Sequence, residues 1–112
     1  MKVQQLVESL SKLGQQEKEV IVLVKCLKVI LSIEPSFDCY EIVYDICRCR
    51  EEDDTYLEKV PVLTVAKLVE TLKTYDQSKE IYLVDDETCK HSDICRVDEH
   101  ARSVVLYSTD EH

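Results

Sequence analysis

Glycine occurs once in this chain, at Gly14, proline twice, and tryptophan not at all. A lone glycine excludes a glycine-rich phosphate-cradling loop and the nucleotide hydrolysis that depends on one. So few turn formers also argue against a small exported disulfide framework, although six cysteines are present. Basic residues are scarce as well, 14 against 23 acidic ones for a net charge of -9. That balance disfavours direct binding of nucleic acid or an anionic membrane surface, so a partner attracted by charge is basic. Long apolar runs are missing too. The longest apolar-rich stretch, from Val20 to Ile33, carries Lys25 and Lys28 and is too short and too charged to span a bilayer. The opening "MKVQQLVESLSKLGQQ" has polar residues at every turn and reads neither as a signal peptide nor as a lipid-anchoring signal. The expectation is a soluble cytoplasmic protein whose cysteines are mostly thiols.

What the chain does contain is a repeat. Val3, Leu6, Val7, Glu8 and Leu10 recur as Val65, Leu68, Val69, Glu70 and Leu72. The apolar positions fall at i, i+3, i+4 and i+7, extended by Leu13 in one copy and Tyr75 in the other, which is one helical stripe. Thr64 is placed to cap the second helix, and Gly14 to end the first in a left-handed turn. After each helix and a polar linker comes "KEVIVLV" or "KEIYLV", where β-branched and aromatic residues favour a strand.

Two more strands follow in each copy. In the second they are "DICRVDEH" and "SVVLYS", turning through "HARS"; in the first, "VILSIEP" and "YEIVYDICR", turning through "PSFD". A single helix from Lys18 to Ile33 is the alternative, since that segment also satisfies helical spacing. The turn-rich "DDETCKHSD" in the matching place of the second copy favours strands. The expectation is one α+β domain, 1–112, with a duplicated helix-strand-strand-strand unit and two amphipathic helices packed on antiparallel sheet. Its pseudo-repeats are 1–50 and 62–112, joined by an acidic linker, 51–61. Whether they share one sheet or form two is left open.

The pattern "V-x-x-L-V-E-x-L", a polar turn, a "K-E-V/I" strand and a final "V-V-L" strand resembles a widespread group of small phage-encoded proteins. These begin with a short helix of the form val-x-x-leu-ile-x-x-leu and continue into a β-meander; here two such units lie in tandem. The second copy matches better, through "TVAKLVETL", "KEIYLVDDE", "ICRVDE" and "SVVLYS". The first departs in its apolar stretch after Val20 and in lacking an acidic turn there. The resemblance implies a mobile-element origin and a place of action in the cytoplasm of a host cell.

Catalytic constellations are scarce. The histidines, at 91, 100 and 112, have no spacing that pairs one with a nucleophile and an orienting acid, so no enzyme is expected. Cys47 and Cys49 form a C-x-C pair, and "CKHSDIC" holds Cys89, His91 and Cys95; brought together, these five would offer a tetrahedral zinc site. Two small apolar residues buried in a sheet explain a C-x-C pair equally well. Cys26 and Cys39 are expected at core or sheet positions. No other cofactor is expected.

The carboxylates cluster at Glu51, Glu52, Asp53 and Asp54, at Asp85, Asp86 and Glu87, and at Asp98 and Glu99. A solvated, self-repelling face is the plain reading. The sharper one is a surface that imitates a phosphate backbone and covers a basic protein. The functional expectation is therefore a small acidic interaction protein that binds and inhibits a basic nucleic-acid-handling defence protein, such as a CRISPR effector or another defence nuclease. The competing expectation is a structural or regulatory domain that self-associates, as a homodimer through an exposed sheet edge, with or without zinc.

Overall fold

The computed structural model describes residues 1–24, 26–47 and 63–109. Helix α1 (Val3–Ser11) precedes strands β1 (Glu19–Val24), β2 (Cys26–Pro35) and β3 (Cys39–Cys47); helix α2 (Val65–Lys73) precedes β4 (Glu80–Asp85), β5 (His91–Glu99) and β6 (Ser103–Ser108). Strands β1 and β2 thus stand in place of the alternative, one helix from Lys18 to Ile33. The β-branched run pairs back on itself, Ile21 opposite Val29 and Val24 opposite Cys26.

The expected architecture is corrected. The chain is 49% strand and 20% helix, and its six strands close into a barrel in the order β1-β2-β3-β4-β5-β6 rather than forming an antiparallel sheet under two helices. Two parallel seams make the closure. β1 lies along β6, with Glu19 beside Ser103 and Leu23 beside Tyr107, and β3 lies along β4, with Cys39 beside Glu80 and Tyr44 beside Asp85. Each meander thereby uses both outer strands to join the other. Among the described residues closure leaves no terminal strand.

Inward side chains of alternate strand positions, among them Val20, Val22, Ile42, Ile81, Leu83, Val104 and Leu106, form one core with Leu6 and Leu10 of α1 and Leu68 and Leu72 of α2. The helices are exchanged between the halves. Just before α2, Leu63 accepts the amide of Val20 at 2.8 Å, and Val65 N donates to Lys18 O at 3.0 Å, which ties α2 to β1. In the mirror arrangement Met1 O accepts from Ile81 at 2.9 Å and Val3 N donates to Lys79 O at 2.9 Å, which ties α1 to β4.

The correspondence extends to the helix ends. Gln16 Nε2 donates to Leu10 O and Leu13 O, and Gln77 Nε2 to Leu72 O and Tyr75 O, so a glutamine amide satisfies free carbonyls after each helix. Thr64 caps α2 by accepting from Lys67 N at 3.2 Å. Gly14 does not adopt the left-handed turn expected of it, and α1 ends with Lys12 in the right-handed region. The residue with positive φ is Cys89, at 59°. Among the described residues no helix is long and apolar enough to cross a membrane.

Candidate interaction surface

The strands carry two hairpins that match residue for residue. Ser32, Ile33, Glu34 and Pro35 pair with Val43, Ile42, Glu41 and Tyr40 just as Arg96, Val97, Asp98 and Glu99 pair with Tyr107, Leu106, Val105 and Val104. Each pairing slips its register after a matching residue, Ile30 in β2 and Ile94 in β5, the β2–β3 pairing slipping again between Lys28 and Val29, and the two turns close identically, Ser36 N to Cys39 O and His100 N to Ser103 O, both at 2.8 Å. One half is therefore an internal control for the other. Whatever the backbone requires appears in both.

Across the outside of β3, β4 and β5 runs the row Glu41, Tyr82, Asp93, fixed by direct pairing of these residues; Glu34 of β2 extends it, opposite Glu41. They face away from the core because Ile42, Leu83 and Ile81, their neighbours along the strands, are fully buried in it. The corresponding row of the other half is Val105, Ile21 and Val29, all buried to within 4%. Polar residues have thus replaced apolar ones on one side of a duplicated frame.

Glu41 and Asp93 are each held by a charged or ionisable partner. His91 on β5 places Nε2 at 2.5 Å from Glu41 Oε2, which bridges β3 and β5 across β4, and its ring meets that of Tyr82 edge-on at 6.2 Å. The amino group of Met1 sits between Asp93 Oδ1 at 2.6 Å and Glu80 Oε2 at 3.0 Å. Partial burial pulls its pKa down, but hydrogen bonds to Asp93 and then Glu80 outweigh this and leave it above the usual value. Desolvation, then the charges of Glu80 and Asp93, push the Tyr82 phenol pKa up. The Glu41–His91 pair braces β3 against β5.

Asp85, Asp86 and Glu87 lie at the lower end of this face, in the β4–β5 loop. Asp85 Oδ1 accepts from Glu87 N at 2.9 Å and Thr88 N at 3.4 Å, and Asp86 N donates to Tyr44 O at 2.9 Å. Asp85 thus shapes the turn while Asp86 and Glu87 stay exposed on a pinned backbone. Asp98 and Glu99 lie at the far end of β5 and are neutralised locally, Asp98 by Arg96 at 2.8 Å and Glu99 by Lys18 at 3.3 Å. Glu51, Glu52, Asp53 and Asp54, with the whole linker 51–61, lie outside the described residues.

Cys89 and Cys95 are both exposed free thiols. Cys47 ends β3 opposite Lys28, Cys49 lies outside the described residues, Cys89 is exposed in the β4–β5 loop, and Cys95 is exposed at the register slip of β5. His91 is engaged with Glu41, and among the described residues no three groups are placed to share a metal ion. Cys39, a free thiol at partial exposure, opens β3.

Sequence reasoning missed Glu34, Glu41, Glu80 and Asp93. They are single acids among apolar neighbours, and only alternation along a strand, "YEIVY" above all, marks Glu41 as facing outward. Comparison with known proteins adds no relative: no family model, curated protein or solved structure matches the chain.

Proposed function

We propose that this chain acts by binding a basic protein surface, and that by covering this surface it inhibits a nucleic-acid-handling defence protein of the host cell. The observation that carries the reading is the row Glu41, Tyr82, Asp93, set where the duplicated half has Val105, Ile21 and Val29, and extended by Glu34, whose counterpart Asp98 is also acidic. Adjacent strands hold such side chains at a repeat of about 4.8 Å, so the carboxylates are ordered before a partner arrives. Among the described residues the Met1 amine is the cation paired with Asp93 and Glu80, and Glu34 and the exposed Asp86 and Glu87 extend the negative face. A net charge of -9 steers a basic protein toward it.

The test begins with capture from nuclease-treated lysate of the natural host, followed by kinetics on the purified partner. One basic, nucleic-acid-handling protein at near-equal stoichiometry is expected, and its activity should fall on binding. The triple variant Glu34→Lys, Asp86→Lys, Glu87→Lys should associate about tenfold more slowly or worse and with a flatter salt dependence. Association unchanged at low and high salt would overturn the electrostatic reading.

A further inference from the structure

Phe37 is the chain's only phenylalanine, and 98% of it is exposed. It occupies the tip of the β2–β3 turn, above Cys39 and Glu80, and so at the upper rim of the acidic face. A solitary exposed apolar residue is ordinary; three observations set this one apart.

The first is the internal control. The β5–β6 turn closes with the same Ser36-type bond, His100 N to Ser103 O at 2.8 Å, and carries Ala101 where this turn carries Phe37. The backbone therefore forms without an aromatic side chain, and the ring contributes nothing to the fold that the other hairpin needs. Secondly, the turn is charged with one sign. Asp38 follows Phe37, and Glu34 lies directly opposite Glu41, a like-charge cross-strand pair that works against the hairpin. Neither Glu34 nor Asp38 has a hydrogen bond or ion pair among the described residues, whereas the matching turn has His100 and Arg102 around Ala101. Thirdly, the tip stands on a rigid base. Tyr40, opposite Pro35, stacks on Tyr75 with ring centroids 4.0 Å apart, and its hydroxyl accepts from Asp76 N at 2.9 Å. That anchors the start of β3 to the end of α2.

We infer that Phe37 is the apolar anchor of the partner interface: it enters a hydrophobic pocket on the partner whose rim carries lysine or arginine side chains that meet Glu34 and Asp38. A buried aromatic surrounded by complementary charge is how a few residues come to dominate an interface. The inference rests on the reading of the face as a surface for a basic protein and adds where the binding energy concentrates.

The test places a benzophenone photocrosslinker at position 37 or, as control, at position 101 of the full chain, and maps crosslinked peptides after irradiation in host lysate. Position 37 should label one basic protein, on a peptide with apolar residues next to Lys or Arg, and position 101 should not. Phe37→Ala should then bind the purified partner at least about tenfold more weakly, Phe37→Trp should retain binding, and both should melt with the wild type. Labelling of a second copy of this chain, equal labelling from position 101, or undiminished binding by Phe37→Ala overturns the anchor. A basic partner that is captured and senses the Glu34, Asp86 and Glu87 reversals but ignores Phe37→Ala removes the anchor alone. If no basic partner is recovered, both proposals fall.

Discussion

Leu6→Ala tests whether the helices really are exchanged between the halves. The Leu6 side chain is fully buried in the common core, and the entry to α1 is bonded to Ile81 and Lys79, not to the strands of its own half. Removing the buried hydrocarbon forfeits about 2 kcal/mol of transfer energy, and the residual cavity brings the loss to about 3 kcal/mol. For a domain of about this size that lowers Tm by about 12 °C. Urea unfolding measures the total, and native-state amide exchange shows where it acts. The amide of Ile81, given to Met1 O, should lose protection before that of Val20, given to Leu63 O. Leu68→Ala on α2 should do the reverse. If Leu6→Ala loosened Val20 first and left Ile81 protected, the exchange of helices would be refuted; a loss below about 1 kcal/mol would refute the burial argument.

Two further perturbations address local features. The Met1 amine has a pKa raised above 8.0, so its contribution is fully present below pH 8 and disappears as pH rises through the folded value. Because its partners are half-exposed, the loss should stay below about 1 kcal/mol; a chain with an acetylated amine should show no such slope in urea titrations across that window. An identical slope in both chains would assign the effect to another group. Cys89 holds φ at 59°, so Cys89→Gly should stabilise by about 0.5 kcal/mol and Cys89→Val should destabilise by more than about 1 kcal/mol. Urea midpoints in the opposite order would mean that the loop relaxes and stores no strain.

Local elements were legible, their assembly was not. Helical spacing from Val3 to Leu10 and from Val65 to Leu72 marks the two helices that form, because that stripe has a period that no strand shares. Closure of the barrel has no such signal. Alternating residues in β3 say which face is inward but not whether that face meets a helix layer or the far wall of a barrel, and the seams of β1 with β6 and β3 with β4 join residues distant in sequence. Exchange of the helices rests on backbone bonds, among them those given by Val20 and Ile81, that any residue type but proline could make. For the site, the acidic clusters drew attention to Asp85–Glu87 and Asp98–Glu99. The structure spends Asp85 on a turn and pairs Asp98 and Glu99 with cations, while the central acids come singly from different strands.

The duplicated frame also explains why an unfavourable set of charges survives. A barrel is held by its inward residues and its seams, and in this chain those are matched between the halves: Ile42 with Leu106, Val20 with Ile81, Ile30 with Ile94. Outward positions carry less of that duty. In one half they took up apolar residues, Val105, Ile21 and Val29, buried to within 4%. In the other they hold Glu41 against Glu34, a juxtaposition that costs a few tenths of a kcal/mol and that His91 only partly offsets at 2.5 Å. At Glu41, Tyr82 and Asp93 the other half holds apolar residues, whereas Glu34 answers to Asp98, an acid in both halves. The departures from the duplicate, Glu41, Tyr82, Asp93 and Phe37, fall on one side of the barrel and at its rim, the side to which the proposed partner surface is assigned.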